Sequence, residues 1–168
     1  MVTAGTGRFA DLADGGRALV PLTQRFAADP AVVVLAVLPN GVPAAVEVAR
    51  ALGAPLLGAD MYRPDGGEPT VTLPDGLAGR TVLVVDDAVE TGTAARLVGR
   101  AVKGAGAGRS VLAVPVCPRQ EEATLALLYD EVVAAVRPLA RRSLTWHYEA
   151  FEPLTPEQAR AELEAYPG

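Results

Sequence analysis

The sequence predicts an α/β domain built on a mostly parallel sheet, and three observations carry that expectation. Short, nearly continuous apolar runs, Ala31 to Leu38, Thr81 to Val85 and Ser110 to Val116, have the pattern of strands buried on both faces. Segments with helical patterning lie between them, and alternating strands and helices give a parallel sheet. Gly and Pro punctuate the joins, as at Pro39-Asn40-Gly41 and at Gly104, Gly106 and Gly108. The chain has 168 residues, so one domain over 1–168 is expected, with 1–30 and 138–168 as flanking or hood segments. Half of the residues are apolar but only 5% are aromatic, so Val, Leu and Ala must fill the core.

Taken in order, residues 8 to 28 place Phe9, Leu12, Ala13, Leu19, Val20, Leu22 and Phe26 among polar residues, a helical pattern interrupted by Gly15-Gly16 and Pro21. Asp29-Pro30 turns the chain into the strand Ala31 to Leu38. Val42 to Leu52 reads as a helix, with Pro43 in its first turn and Gly53 as its C-terminal cap. Pro55 to Tyr62 reads as the second strand. The turn Pro64-Asp65-Gly66-Gly67 follows, and Glu68 to Leu73 returns as an antiparallel partner. Asp75-Gly76 and Gly79 lead into Thr81 to Val85. Thr93 to Lys103 is the next helix, Ser110 to Val116 the next strand, and Pro118 starts a helix through Leu128. Glu131 to Val136 is a short last strand. The tail from Pro138 carries Trp146, His147, Tyr148 and Phe151 and ends in a helix beginning at Pro156.

Composition excludes several functions. The net charge is −5 and the isoelectric point about 4.9, which argues against nucleic-acid binding. Lys103 is the only lysine and falls near a helix end, which removes Schiff-base chemistry and a P-loop. Cys117 is the only cysteine, so neither an intrachain disulfide nor a thiolate zinc site is available. His147 is the only histidine, and no Gly-x-Ser-x-Gly accompanies it. The N-terminus lacks a basic start followed by an apolar run, and no apolar stretch reaches spanning length. A cytoplasmic protein with no membrane contact is the expectation.

The most informative stretch is Thr81-Val82-Leu83-Val84-Val85-Asp86-Asp87-Ala88-Val89-Glu90-Thr91-Gly92-Thr93. It reads as a buried strand, two acids at its C-terminal end, a short hydroxyl-rich loop and the start of a helix. In open α/β sheets ligands bind outside the carboxyl ends of the strands. A helix N-terminus presents backbone N–H groups that attract phosphate. Thr91 and Thr93 add hydroxyls, and Gly92 allows close backbone approach. Two acids would repel that phosphate, so they suit ribose hydroxyls or a divalent cation. A strand capped by acids, with an ordinary Thr helix cap, is the plainer alternative.

These residues resemble the phosphoribosyl pyrophosphate (PRPP) signature of type I phosphoribosyltransferases: a hydrophobic strand, two acids, three variable residues, then Thr-Gly-Thr. Phe9-Ala10-Asp11 and Trp146-His147-Tyr148-Glu149-Ala150-Phe151 also look like an uncharacterised bacterial group within that family. The resemblance implies a three-layer fold, mostly parallel, with one antiparallel strand after the second strand. It implies that Asp86 and Asp87 hold the ribose hydroxyls and that Ala88, Val89, Glu90, Thr91, Gly92 and Thr93 hold the 5′-phosphate. Pyrophosphate would be received by the loop after the first strand, here Pro39, Asn40 and Gly41. The family often has an unusual cis peptide there, which a Leu38–Pro39 bond reproduces at low cost. That loop usually carries a basic residue, and this chain has Pro39 and Asn40 instead. A plain strand-to-helix turn is the alternative.

Glu90 occupies the place of the acid that, in purine enzymes of the family, meets the nucleobase and is the proposed proton carrier. A solvated helix-start Glu is equally compatible. The implied reaction displaces pyrophosphate from ribose C1 by a nitrogen nucleophile, with Glu90, Asp86 and Asp87 as catalytic residues and Mg²⁺ held by Asp86 and Asp87. Arg63 is the one cation near the hairpin tip, with Arg80 at its base. That scarcity keeps a second reading open, a non-catalytic PRPP or nucleotide sensor. A phosphoacceptor of the response-regulator kind lacks its strand-end lysine. The expected partners are small molecules, and a homodimer is compatible with the sequence. Cys117 reads as buried filler, and the tail aromatics read as packing rather than a roof over a base pocket.

Overall fold

The computed structural model describes residues 8–167; the ends of the two expected flanking segments, residues 1–7 and Gly168, lie outside the described residues. Six strands form one sheet: β1 (Val32–Val37), β2 (Leu56–Tyr62), β3 (Thr70–Thr72), β4 (Thr81–Val85), β5 (Arg109–Val116) and β6 (Glu131–Val136). Their order is β3-β2-β1-β4-β5-β6, and every pairing is parallel except β2 with β3. The antiparallel return after the second strand is therefore present, as Asp60 opposite Thr72 and Tyr62 opposite Thr70.

Alternation along the central strands sends side chains into two cores. Val32, Val34 and Ala36 of β1 face one core, with α1 (Leu12–Thr23), α2 (Val42–Leu52) and Ala159 of α5 (Pro156–Ala165). Val33, Leu35 and Val37 face the other, with α3 (Thr93–Gly104) and Leu125 of α4 (Arg119–Leu125). Helices on both faces explain the unbroken apolar runs, since neither face of β1 or β4 meets water.

The interrupted pattern over residues 8–28 resolves into α1 followed by a short 3-10 turn, Gln24–Ala28. Asp11 caps α1, its Oδ1 accepting from the Asp14 N–H at 2.8 Å. The glycines that weaken the helical pattern are a packing requirement. A Cβ on Gly16 would stand 2.5 Å from the Ala44 Cα of α2, and one on Gly15 would stand 2.9 Å from Pro115 of β5. The helix expected to run from Pro118 to Leu128 is shorter, Arg119–Leu125. The chain then turns, with Leu128 N–H and Tyr129 N–H both donating to the Leu125 carbonyl. The turn leaves Leu127 exposed and aims the buried Tyr129 hydroxyl at the Ala95 carbonyl, 2.7 Å away.

The two flanking segments pair with each other. Phe9 bridges Tyr148, its N–H donating to the His147 carbonyl and its carbonyl accepting from Glu149 N–H, both at 2.8 Å. Thr155 and Gln158 cap α5 reciprocally. The helix is fastened to the β2 side by an Arg160–Asp60 ion pair and by the Tyr166 hydroxyl, which donates to the Ala54 carbonyl at 2.8 Å. Among the described residues no helix is long and apolar enough to cross a membrane.

Candidate functional site

The chain runs outward from β1 to β2 and β3, then crosses back to β4 and continues to β5 and β6. The strand order therefore reverses between β1 and β4, and a cleft opens where their carboxyl-end loops part. It has a volume of about 400 Å³. Val37 to Asn40 line it from the first loop, Asp86 to Ala95 from the second, Met61 and Arg63 from the end of β2, and Leu144 from the tail.

The structure brings the two acids and the hydroxyl-rich loop together as neighbours. Asp86 Oδ1 accepts from the Asp87 N–H and Asp87 Oδ1 from the Ala88 N–H, each at 2.8 Å. These bonds fix both carboxyl groups at the strand end. Burial pushes the Asp86 carboxyl well above the usual carboxylate range, and the neighbouring Asp87 charge pushes it the same way. Burial also raises Asp87, against hydrogen bonds that favour its charged form. Arg63 is a more distant counter-charge for both. Like charges side by side, short of positive charge, favour a bound cation or shared proton.

Beyond the acids the loop is pinned and then opens. Val89 is buried, and its N–H donates to the Val116 carbonyl at 2.8 Å. From Glu90 to Ala95, no backbone N–H has an acceptor among the described residues. Six donors are thus left at the start of α3, where the helix dipole also favours an anion. Gly92 holds the turn with φ at +83°, a left-handed conformation that suits glycine. The Thr91 and Thr93 hydroxyls lie 3.2 Å apart at its edge.

An ion network braces this loop from outside. Arg96, in the first turn of α3, donates from Nη1 to the Thr91 carbonyl at 3.2 Å and pairs with Glu121 at 3.7 Å. Glu121 is mostly buried and also pairs with Arg141 of the tail. A Cβ on Gly92 would come within 2.7 Å of Arg96 Nη1. The Tyr148 hydroxyl, buried, donates to the Asp87 carbonyl, so the tail also holds the acid pair.

The first loop contains a cis Leu38–Pro39 peptide bond. Pro39 and Asn40 line the cleft, whereas Gly41 lies behind it. The Gly41 N–H donates to the Val37 carbonyl at 2.9 Å. A Cβ on Gly41 would stand 2.6 Å from Val37 O, 2.7 Å from Val85 O and 3.1 Å from Asp86 Cα. Gly41 is thus where the two loops touch. Asn40 Oδ1 accepts from the Leu154 N–H at 2.8 Å. Glu90 is exposed at the cleft wall.

Several residues enter the site without a sequence signal of their own. Met61 and Leu144 become wall residues only through the fold. Arg96 follows Gly92 by four residues, a helical spacing that returns its side chain to the loop, and that spacing could have marked it. Of the tail aromatics, Tyr148 and Phe151 pack inward as expected, whereas Trp146 is exposed beside arginine side chains. Tyr148 lies 5.7 Å from the rings of both Phe9 and Phe151, and Trp146 lies under the Arg142 guanidinium at 4.3 Å. Cys117 is buried, and desolvation pushes its thiol up to about 11, which fits filler rather than a nucleophile. Among the described residues, no group of three or more His, Cys, Asp or Glu side chains is placed to hold a metal ion.

A family model described as the phosphoribosyl transferase domain matches residues 13–134. The chain is similar to TT1426 from Thermus thermophilus, at 27% identity over 96% of this chain and 100% of the other, with a TM-score of 0.77. It is similar in fold to the purine phosphoribosyltransferase of Pyrococcus horikoshii, at 24% identity over 86% of this chain and 91% of that one, with a TM-score of 0.61. It is likewise similar in fold to the adenine phosphoribosyltransferase of Rhodothermus marinus, at 20% identity over 72% of this chain and 77% of that one, with a TM-score of 0.59.

Proposed function

Because the chain belongs to the phosphoribosyltransferase family, we propose that its cleft binds PRPP and transfers the phosphoribosyl group to a nitrogen nucleophile such as a nucleobase. The observation that carries this reading is the junction of an acid pair with six open N–H donors at the point where strand order reverses. The 5′-phosphate sits on the donors of residues 90–95, and Asp86 and Asp87 accept hydrogen bonds from the ribose 2′- and 3′-hydroxyls. Pyrophosphate lies toward Pro39 and Asn40, with Arg63 as the cation on that side of the cleft.

In the reaction the acceptor nitrogen forms a bond to ribose C1 as the C1–O bond to pyrophosphate breaks. Pyrophosphate leaves with the electron pair. The proton lost by the acceptor nitrogen passes to the Glu90 carboxylate, which stands at the cleft wall and faces solvent. Catalysis rests mainly on positioning and on stabilising the leaving group's charge.

The acid pair also fits a divalent cation. Mg²⁺ is held through one or two carboxylates plus substrate oxygens rather than by an all-protein cage, and two adjacent, under-compensated carboxyl groups without a third suit that mode. Asp86 and Asp87 would hold it, and it would neutralise charge on the departing pyrophosphate. The scarcity of cations supports a second reading, a sensor that binds PRPP or a nucleotide without turnover, since Arg63 is the only basic residue lining the cleft among the described residues.

Pyrophosphate release with Mg²⁺ across purine and pyrimidine bases, beside direct PRPP titration, separates the two. For the enzyme, Glu90→Gln lowers kcat at least about tenfold and leaves PRPP affinity within about twofold, because a proton carrier acts in the transition state. PRPP binding without release on any base assigns the sensor. A parent protein that does neither refutes both.

A further inference from the structure

The C-terminal tail reaches the first loop of the cleft through a hydrogen bond to Asn40, and that bond fixes how the Asn40 carboxamide is turned. A carboxamide has one acceptor edge and one donor edge. At 2.8 Å, the Leu154 backbone N–H can be received only by the acceptor edge, so Oδ1 is bound to the tail. The orientation of the amide is therefore fixed by the donor it meets. Asn40 nevertheless lines the cleft. No acceptor for its Nδ2, or for its backbone N–H, is found among the described residues. Nδ2 is also not a buried unsatisfied atom, so it is open to solvent on a residue that lines the cleft.

Leu154 is itself held firmly. Its side chain packs against the core that contains Leu38 and Ala159 and against the cluster of Phe9 and Tyr148. The reciprocal cap at Thr155 and Gln158 begins α5 one residue later. Tyr166 and Arg160 then anchor the helix to the sheet. The donor edge of Asn40 is thus set by a segment 114 residues away in sequence.

The geometry points to the tail as a positioning element of the pyrophosphate subsite: by occupying the Asn40 carbonyl, Leu154 N–H turns the Asn40 amide donors onto the departing pyrophosphate. The inference rests on the PRPP reading above and goes beyond it, because it makes the tail part of substrate recognition and explains how a loop without a basic residue offers directed donors. A ligand that carries only the 5′-phosphate does not meet Asn40, so the effect is confined to ligands with the pyrophosphate group.

The experiment titrates PRPP and ribose 5-phosphate, both with Mg²⁺, onto the full chain and two variants. Asn40→Asp keeps an acceptor for Leu154 N–H and so preserves the tether, but it presents an anion where donors stood. Leu154→Pro removes the N–H and frees the carboxamide to turn its carbonyl toward the ligand. Each is expected to weaken PRPP binding by about tenfold to a hundredfold, the scale of a hydrogen bond to a charged group, while ribose 5-phosphate affinity stays within about twofold. The ratio of the two affinities remains readable even where a variant loses some stability. Unchanged PRPP binding in either variant, or equal loss of both ligands in both variants, overturns the inference and leaves the PRPP reading standing. A parent protein that binds neither ligand overturns the PRPP reading itself.

Discussion

Gly41→Ala tests whether the two site loops meet where the structure places them. Gly41 caps α2 with φ at −75° and ψ at −15°, a conformation alanine adopts freely. On backbone grounds alone the substitution would stabilise the protein by about 0.4–1 kcal/mol, through the unfolded chain. Packing opposes it. The new methyl carbon would lie 2.6 Å from Val37 O, 2.7 Å from Val85 O and 3.1 Å from Asp86 Cα, all backbone atoms that cannot rotate away. Ordinary carbon–oxygen approaches are about 3.3–3.6 Å, so the ends of β1 and β4 must part from α2 by roughly 0.7 Å or more. Overpacking of this kind costs about 1–3 kcal/mol. The net expectation is a loss centred on about 1 kcal/mol and reaching about 2.6, which lowers Tm by about 2–4 °C per kcal/mol for a chain of this size. PRPP affinity falls as well, because the displaced backbone carries Asn40 on one side and Asp86 on the other. Urea denaturation, calorimetry and PRPP titration read both effects. Gly104→Ala is the matched control, a glycine at the end of α3 with nothing within 4 Å of an added Cβ, and it should be neutral or slightly stabilising. If Gly41→Ala behaves like the control in stability and in PRPP binding, the close approach of the two loops is refuted.

Asp86→Asn and Asp87→Asn should each weaken PRPP binding by about 1–3 kcal/mol, the worth of a charged hydrogen-bond partner, by titration calorimetry. Their stability effect has the opposite sign at neutral pH. Because the folded pKa of each acid is raised, the native state holds its proton longer than the unfolded chain does. The acid's contribution therefore falls as pH rises from the unfolded value through the folded one, and it stays unfavourable above that. The Asn variants should thus gain Tm relative to the parent as pH climbs, and a gap that is flat across pH 3–8 would contradict the burial of these charges. Tyr148→Phe removes the hydroxyl that ties the tail to the Asp87 carbonyl; it should cost about 0.5–1.5 kcal/mol in denaturant and weaken PRPP binding, and unchanged values of both would show that this tether holds nothing.

How much of this was legible in the sequence depends on how far each determinant lies from what it determines. The strand, acid pair, loop and helix start at residues 81–93 are contiguous, so burial pattern, hydroxyls and Gly92 expose them together. The β2–β3 return was equally local, signalled by the turn at residues 64–67. The first helix was harder to read because Gly15 and Gly16 answer to Pro115 and Ala44, partners that no periodicity reveals. The helix after Pro118 ended early because Tyr129 is drawn to the Ala95 carbonyl on another helix. The bracing of the site was the least visible part. Glu121 joins Arg96 to Arg141, and Leu154 joins Asn40, through pairings that only the folded chain creates.

Those long-range braces address the main physical difficulty of the site. On the PRPP reading the loop is a phosphate cradle, and one built from neutral N–H donors needs no net positive charge, so an acidic chain can carry it. Placing two carboxyl groups beside it is costly, since burial and mutual repulsion both disfavour their charge. A loop free to relax would swing those acids into water and fill its own donors. Here the relaxation is blocked from three sides: Val89 is pegged to β5, Arg96, paired with Glu121, donates to the Thr91 carbonyl, and Tyr148 donates to the Asp87 carbonyl. The acids and the donors are thereby held side by side. On the PRPP reading, ribose hydroxyls, a divalent cation and phosphate oxygens supply at once the partners that the acids and the donors call for, so the same groups whose burial disfavours the fold become the source of affinity.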